Sequence, residues 1–464
     1  MARMTPEKIL QTIAKVAVKE KTAVYAVGGF VRDRVMERPC KDIDMVVDGS
    51  GVAFAKKIIE PLKAEHEVFF EDFDTARMQV EEYTIEFAGA RKESYEKHSR
   101  KPKVERVENI AEDLARRDFT INAIAMHIDK EHFGEYLDPF DGQSDIERKI
   151  IRTPMEPSAT FSDDPLRMMR AVRFAAQLGF GIDGVTLRGI KEEVERISIV
   201  SWERIRDELL KMLAVTKPSE ALNTLFTTGL LAYIVPEVAV LHGVEFVGGQ
   251  HHKDQLAHSI KVTDQMAAMT ENVSLRLAAF LHDVGKAPTK RLKEGRGWTF
   301  DGHEVVGARM ITEVGRRLRL DTDTVKYIRK LVRWHLRPQV ITAEGVTDSA
   351  VRRIIVNMGD WLDDLILLYR ADITTQNPKK LAQREKDFDV LMRRIEEVRE
   401  RDRLRAFQSP VRGEEIMQLC NLTPGKEVGK IKGAIEEAIL EGVIPNDYEA
   451  AKRYLLEHKV EWLT

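Results

Sequence analysis

The stretch AVGGFVRDRVMERPCKDIDMVV, residues 26–47, decides how the chain is read. It overlaps a short apolar run, AVYAV (23–27), which predicts a strand. Gly28 and Gly29 then mark a tight turn, FVRDRVM has a helical pattern, and IDMVV (43–47) predicts a second strand. A strand, a glycine turn and a helix together let backbone N–H groups approach phosphate oxygens at a helix N-terminus. Two glycines alone usually mark nothing more than a turn. The added weight comes from Asp42 and Asp44. Residues two apart in a strand face the same side, so these carboxylates repel each other unless a cation lies between them. That arrangement suits Mg²⁺ in in-line phosphoryl transfer. The competing reading is an exposed strand edge with two solvated acids, and the preceding Gly-Gly and Arg32-Asp33 argue against it.

Outward from this stretch, HEVFF, ARMQVEEY and TIEFAG (66–89) alternate or are β-rich and predict further strands. Residues 5–20 predict a helix with Thr5 as N-cap and Pro6 in the first turn, and 51–62 predict another. Glu86, between Ile85 and Phe87, is the candidate third acid of the cleft. From about residue 155 strand signals mostly stop. DPLRMMRAVRFAAQL and EALNTLFTTGLLAYIV are helical in period, and 379–407 reads as one long solvated spacer or packing helix. The expected fold is multidomain α+β. A small mixed α/β head at 1–150 is followed by a helical neck at 151–240, a histidine-rich helical domain at 241–375 and a helical tail at 376–464.

The chain has 464 residues, too many for one ordinary core. Its net charge of −3 does not advertise a nucleic-acid binder, so cationic contacts to phosphate must be local. Such enrichment exists at 91–106, with Arg91, Lys92, Lys97, Arg100, Lys101, Lys103 and Arg106, and again at Arg167, Arg170 and Arg173. Cys40 and Cys420 lack metal-type neighbours, which predicts neither a zinc knuckle nor a disulfide and points to a reducing cytoplasm. The start has no signal-peptide core, and no apolar run is long enough for a membrane span. The sequence carries no signal for an oligomeric state.

Two further constellations carry chemistry. Asp164 and Arg167, three apart, would share a helix face and offer acceptors and a planar donor fork to a base edge. Their bland reading is an i,i+3 salt bridge. Residues 250–375 supply His258, adjacent His282 and Asp283, His303, His335 and Asp372. Imidazole with carboxylate suits Mn²⁺, Fe²⁺, Ni²⁺, Co²⁺ or Zn²⁺ better than a pure oxygen set would. A lone buried histidine is usually structural, but four with LHDVGK are poorly accounted for that way.

GGFVRD followed by DID resembles the opening motif of class II tRNA nucleotidyltransferases and bacterial poly(A) polymerases, members of the DNA polymerase beta-like superfamily. RRDFTINAIAM (116–126) resembles their ribose-recognition motif and LDPFDGQSDI (137–146) their short linker motif. FSDDPLRMMRAVRFAAQLGF (161–180) resembles their nucleotide-selecting Glu-Asp-x-x-Arg motif, with Asp163 in place of the Glu. The resemblance implies that Asp42, Asp44 and Glu86 serve catalysis with Mg²⁺. It further implies that Gly28, Gly29, Arg32, Asp33, Arg117, Asp118, Asn122, Asp164, Arg167 and Arg170 bind nucleotide. The histidine cluster resembles the HD superfamily of metal-dependent phosphohydrolases. There His258, His282, Asp283 and Asp372 match the four-ligand core, His303 and His335 the additional ligands of two-metal members, and Lys286 a phosphate contact. HD domains occur on bacterial class II tRNA nucleotidyltransferases, and 412–446 resembles that group's C-terminal helices.

The implied function is completion or repair of the 3′-terminal CCA of tRNA from CTP and ATP without a nucleic-acid template, with an added phosphohydrolase activity. Partners would be the tRNA 3′ end, CTP and ATP, with no membrane. A poly(A) polymerase, or an enzyme adding only CC or only A, shares the motifs. The HD cluster and ARKESY (90–95) favour tRNA. A phosphohydrolase with a nucleotide-binding head, or a non-catalytic RNA-binding protein, would leave complete catalytic sets unused.

Overall fold

Short β-rich runs, several of them alternating in burial, build one seven-stranded sheet in the first part of a computed structural model. The structure describes residues 4–463 except 95–102, 107–109, 244–245, 248–249, 252–253, 295–296, 343–345, 376 and 403–408. The chain divides into two compact units, Met1–Pro236 and Glu237–Thr464. The strands of the first unit are β1 (Val24–Val27), β2 (Asp42–Val47), β3 (Glu65–Phe70), β4 (Thr75–Val80), β5 (Tyr83–Gly89), a separate pair β6 (Arg91–Ser94) and β7 (Lys103–Arg106), then β8 (Ala125–His127) and β9 (Tyr136–Leu137). The main sheet runs β3-β4-β5-β2-β1-β8-β9. β2 lies in the middle, antiparallel to β1 and parallel to β5. The strands expected at 66–89 are all present.

β2 shows why the acids collect on one face. Asp42 is exposed and Asp44 partly so, while Ile43 and Met45 between and beyond them are fully buried. The apolar face packs with Phe87, whose ring lies 5.6 Å from Phe54 on the helix Gly51–Leu62. Ser50 caps that helix by accepting from Ala53 N, and Thr5 caps Pro6–Glu20 by accepting from Lys8 N. Val27, Val46, Leu114, Ala123 and Ala125 form an apolar cluster that fastens the short helix Ile110–Ala115 to the sheet. The helix Leu166–Leu178 packs against Trp202–Ala214 through a buried ion pair, Arg173 Nε to Glu208 Oε2 at 2.6 Å.

In the second unit, helices Gln255–Ala267, Val273–Leu281, His303–Arg317, Thr322–Trp334 and Leu362–Ala371 form the histidine-rich bundle. Gly285 is required where chain segments meet: a Cβ there would lie 2.0 Å from the His303 carbonyl oxygen. The long charged helix spans Pro378–Asp402, and 403–408 lie outside the described residues. It is not purely solvated, since Leu391, Ile395 and Val398 are buried. The helices Gly413–Cys420, Lys426–Leu440 and Tyr448–Leu463 surround their own apolar core of Ile416, Ile431, Ile435 and Leu455. Among the described residues no helix is long and apolar enough to cross a membrane.

Candidate active sites

The first site grows out of strand register. β1 places Val27 opposite Asp44, and β5 places Glu86 beside Asp44. Asp42, Asp44 and Glu86 thus share a sheet face. A cleft of about 370 Å³ opens there, lined by Asp44 and Glu86 on one side and by Arg116, Arg117, Arg167, Arg170 and Arg204 on others. Asp42 is exposed and lies outside the cleft lining. Gly28 turns the chain with φ +69°, and a Cβ there would press to 3.2 Å from Asp44 Oδ2 and 3.1 Å from Arg117 Nη1. Burial pushes the Asp44 carboxyl above its usual range. Arg117 opposes this, and the neighbouring charge of Asp42 adds to it. Such a pair fits a divalent cation, whose charge would offset both the burial and the repulsion.

The arginines are held from below. Asp113, fully buried, pairs with Arg116 Nη2 at 2.5 Å and Arg117 Nη2 at 3.1 Å. Burial raises its pKa, but the two guanidiniums outweigh that and hold it below the usual range. Asp118 accepts from Arg170 Nη2 at 2.6 Å, from Asn122 Nδ2 at 3.0 Å and from the Phe119 amide. Arg32 donates to Asn122 Oδ1 at 2.9 Å and pairs with Asp33 at 2.8 Å. Of the expected nucleotide-binding set, Arg117, Asp118, Asp164, Arg167 and Arg170 line the cleft. Arg32 and Asn122 are buried in a network that braces Asp118, and Asp33 is tied to Arg32. The Phe174 ring carries Arg32, Arg170 and Arg173 at 5.2, 5.3 and 4.0 Å.

Two expectations need correction. Asp164 is not on a helix face with Arg167. It lies extended (φ −139°, ψ 99°) between Pro157–Asp163 and Leu166–Leu178, because Pro165 disfavours helical backbone in the residue before it. Asp164 Oδ1 accepts from Leu166 N at 3.2 Å, and Arg167 Nη2 donates to the Arg116 carbonyl at 2.7 Å. The two residues still line one cleft. Arg173 is not the open phosphate contact expected, being buried against Glu208 and Gln177. Asp163 ends its helix exposed and outside the cleft lining. Of the basic run at 91–106, Lys97, Arg100 and Lys101 lie outside the described residues, as do Tyr95 and the side chains of Arg91, Lys92, Lys103 and Arg106.

In the second unit all six expected ligands converge. His258, His282 and Asp372 form one trio and Asp283, His303 and His335 another, with ligand atoms within 4.8 Å inside each. Asp283 joins them: Oδ2 lies 3.1 Å from His282 Nε2 and Oδ1 lies 3.4 Å from His303 Nε2. Every Nδ1 is held from behind. His282, His303 and His335 contact the carbonyls of Ala279, Phe300 and Val332 at 2.7–2.8 Å, and His258 contacts Thr374 Oγ1 at 3.1 Å. Each Nε2 therefore points inward. Burial disfavours a charged His282, yet Asp283 and Asp372 outweigh it and push its pKa up to about 10. Burial and the charge of His282 push His335 down to about 4. Among the described residues His282 Nε2 is buried without a properly formed hydrogen bond, and coordination to a cation would satisfy it. Lys286 Nζ reaches Asp283 Oδ2 at 2.6 Å and Gln255 Oε1 at 2.9 Å. A cleft of about 360 Å³ opens onto His258, Asp372 and Lys286.

Comparison with known proteins decides the family. Residues 24–152 match the poly A polymerase head domain, 179–241 the probable RNA- and SrmB-binding site of polymerase A, and 256–375 the HD domain. An A-adding tRNA nucleotidyltransferase of Deinococcus radiodurans is 32% identical over 351 residues, 74% of this chain and 78% of that one. The chain belongs to the tRNA nucleotidyltransferase family. The multifunctional CCA protein of Pseudomonas aeruginosa LESB58 is 32% identical over 67% of this chain and 74% of its own. The Thermotoga maritima CCA-adding enzyme complexed with tRNA shares the fold at a TM-score of 0.61 and 22% identity, over 98% of this chain and 97% of that one. This nucleotidyltransferase and its HD domain belong to classes that use divalent metals.

Several residues at these sites stand outside the sequence motifs. Asp113 was legible as an acid three and four positions before two arginines. Arg204, Tyr369 and Arg384 carry no local signal and reach their clefts only through helix packing.

Proposed function

We propose that the chain completes or repairs the 3′-terminal CCA of tRNA from CTP and ATP without a nucleic-acid template. The observation that carries this is a single cleft where Asp44 and Glu86 confront five arginines, Arg116, Arg117, Arg167, Arg170 and Arg204. Asp42 and Asp44 would hold Mg²⁺, with Glu86 beside them as the third acid. When bound there, Mg²⁺ supplies charge neutralisation at the α-phosphate and a lower pKa for the RNA 3′-hydroxyl. The turn at Gly28 and Gly29 and the cationic wall hold the triphosphate, with Arg117 nearest the acids. Asp118, gripped by Arg170 and Asn122 and braced through Asn122 by Arg32 and Asp33, positions the nucleotide. Asp164 and Arg167 read the base edge. The working division is a head at 1–150, a neck at 151–240, an HD domain at 241–375 and a tail at 376–464.

The test is extension of tRNAs lacking A, CA or CCA, offered each labelled NTP, with the added ends sequenced. Extension of all three to CCA supports the reading. The similarity to an A-adding enzyme favours a second reading, in which only the tRNA lacking its terminal A is extended. Tails running beyond CCA indicate poly(A) polymerase activity.

The HD cluster is proposed to bind Mn²⁺, Fe²⁺, Ni²⁺, Co²⁺ or Zn²⁺ and to hydrolyse a phosphomonoester or phosphodiester at an RNA 3′ end, with Lys286 on the phosphate. The convergence of two ligand trios supports it, with His282 Nε2 buried and lacking a properly formed hydrogen bond among the described residues. Elemental analysis of protein purified without chelator tests it, and an empty site after metal add-back overturns it.

A further inference from the structure

The cleft over the histidine cluster contains more than metal ligands. Besides His258, Asp372 and Lys286, it is lined by Tyr369 and Arg384, neither of which is a metal ligand. Arg384 also lies beyond residues 256–375, the extent of the HD domain match. Tyr369 sits three residues before Asp372, on the helix Leu362–Ala371. Its ring stacks on Phe388, with centroids 6.5 Å apart and planes 14° from parallel. Phe388 belongs to the charged helix Pro378–Asp402. Arg384 is one turn earlier on that helix, so the stacking that docks Phe388 also carries Arg384 to the cleft.

The Tyr369 hydroxyl is buried, with the residue only 5% exposed, and among the described residues its proton finds no acceptor. The Arg384 guanidinium stands beside it. A guanidinium has donors only, so even when it leans toward the hydroxyl oxygen it cannot accept the hydroxyl proton. Two donors therefore meet in one corner of the cleft. Asp387 pairs with Arg384 only loosely, at 4.0 Å. Leaving a buried hydroxyl unsatisfied is costly unless something else fills the role. A phosphate oxygen would accept from both groups at once, and guanidinium geometry suits phosphate.

Lys286 is already committed to the metal side through Asp283 and Gln255. The cleft thus offers two cationic positions, Lys286 beside the metal ligands and Arg384 beside Tyr369. A ligand with a single phosphate needs only the first. We propose that Tyr369 and Arg384 form a second phosphate subsite of the HD cleft, which takes the internucleotide phosphate next to the 3′-terminal phosphate of an RNA end. This deepens the HD reading above and rests on it for the identity of the first phosphate.

The test uses the full chain loaded with Mn²⁺, and compares binding of a dinucleotide ending in a 3′-phosphate with that of a nucleoside 3′-monophosphate. Binding in the head cleft is common to all variants, so it is measured separately with Mn²⁺-free protein and subtracted before the ratio is taken. Wild type should favour the dinucleotide about tenfold or more. Tyr369→Phe, which keeps the ring stack, and Arg384→Ala should each bring that ratio close to one while metal content stays at the wild-type level. Arg384→Lys should recover part of the preference. A wild-type ratio near one, or a ratio that survives both substitutions, overturns the subsite. Failure of the wild type to hydrolyse either compound would instead overturn the hydrolase reading, while the binding ratio still decides the subsite.

Discussion

Asp164 Oδ2 accepts a 2.7 Å hydrogen bond from Arg204 Nη2, which comes from a different helix, Trp202–Ala214. The other carboxylate oxygen of Asp164 accepts from the Leu166 amide. The residue expected to read the base is therefore aimed by an arginine forty positions away in sequence. Both line the cleft that holds Asp44.

Base choice should follow from this pair. Arg167→Ala and Asp164→Ala are expected to relax selectivity for CTP and ATP over UTP and GTP by about 1–3 kcal/mol per lost contact, the scale of base-edge readout. Arg204→Gln should loosen Asp164 and relax selectivity to a smaller extent. The measurement is kcat/KM for all four NTPs in each variant. A uniform loss with wild-type ratios would place base reading elsewhere.

Asp44 should trade stability for chemistry. Its carboxyl pKa is raised mainly by burial, so at neutral pH the folded state carries a charge it disfavours. Asp44→Asn is expected to raise the melting temperature in Mg²⁺-free buffer at pH 7. It should also lower nucleotide addition by several orders of magnitude, as loss of a metal ligand does. Asp42→Ala should lose activity to a similar extent. Near-normal incorporation by either variant counts against the assignment.

Asp113 predicts an acid-side instability. Its folded pKa is lowered, so its contribution is fully present above the unfolded value of about 4 and disappears as pH falls through the lower folded value. Arg116 and Arg117 are 22% and 20% exposed and can rehydrate, so Asp113→Asn should cost about 1–3 kcal/mol at pH 7, less than a fully buried pair. The gap between wild type and variant should narrow on going from pH 5 toward pH 2 in urea denaturation. A constant gap would mean that the carboxylate charge is not what holds the arginines.

Metal stoichiometry distinguishes the two trios. Asp283 offers one oxygen to each, so Asp283→Ala should empty both, whereas His303→Ala should reduce metal content by about half. Chelation should lower the melting temperature, because metal bound only by the folded state stabilises it by mass action. Equal metal loss in both variants would mean that the trios do not act as separable sites.

Short-range periodicity made five strands of the head sheet, the cap at Thr5 and the acid spacing in DID legible, but not the short strands Ala125–His127 and Tyr136–Leu137. The legible features depend on residues within a turn or a pleat of each other, and local backbone geometry suffices to place them. The six HD ligands were legible through their resemblance to the HD pattern around LHDVGK, where imidazole with carboxylate suits a transition metal. The extended Asp164 was also written locally, in the Pro165 that follows it, but the helical period of the flanking segments masked the signal.

Tertiary structure alone decided which side chains face the clefts. Glu86 acquires its position from parallel pairing of β5 with β2, a register that alternation within TIEFAG cannot specify. Arg173 looked like its neighbours Arg167 and Arg170 until helix packing set it against Glu208. Arg204 and Arg384 are ordinary surface arginines in sequence, and only helix docking brings them to Asp164 and Tyr369. Sequence determines the chemistry a residue is capable of within its own turn or strand. Partners tens of residues away are set mainly by the packing of apolar faces, which sequence-local patterns do not specify.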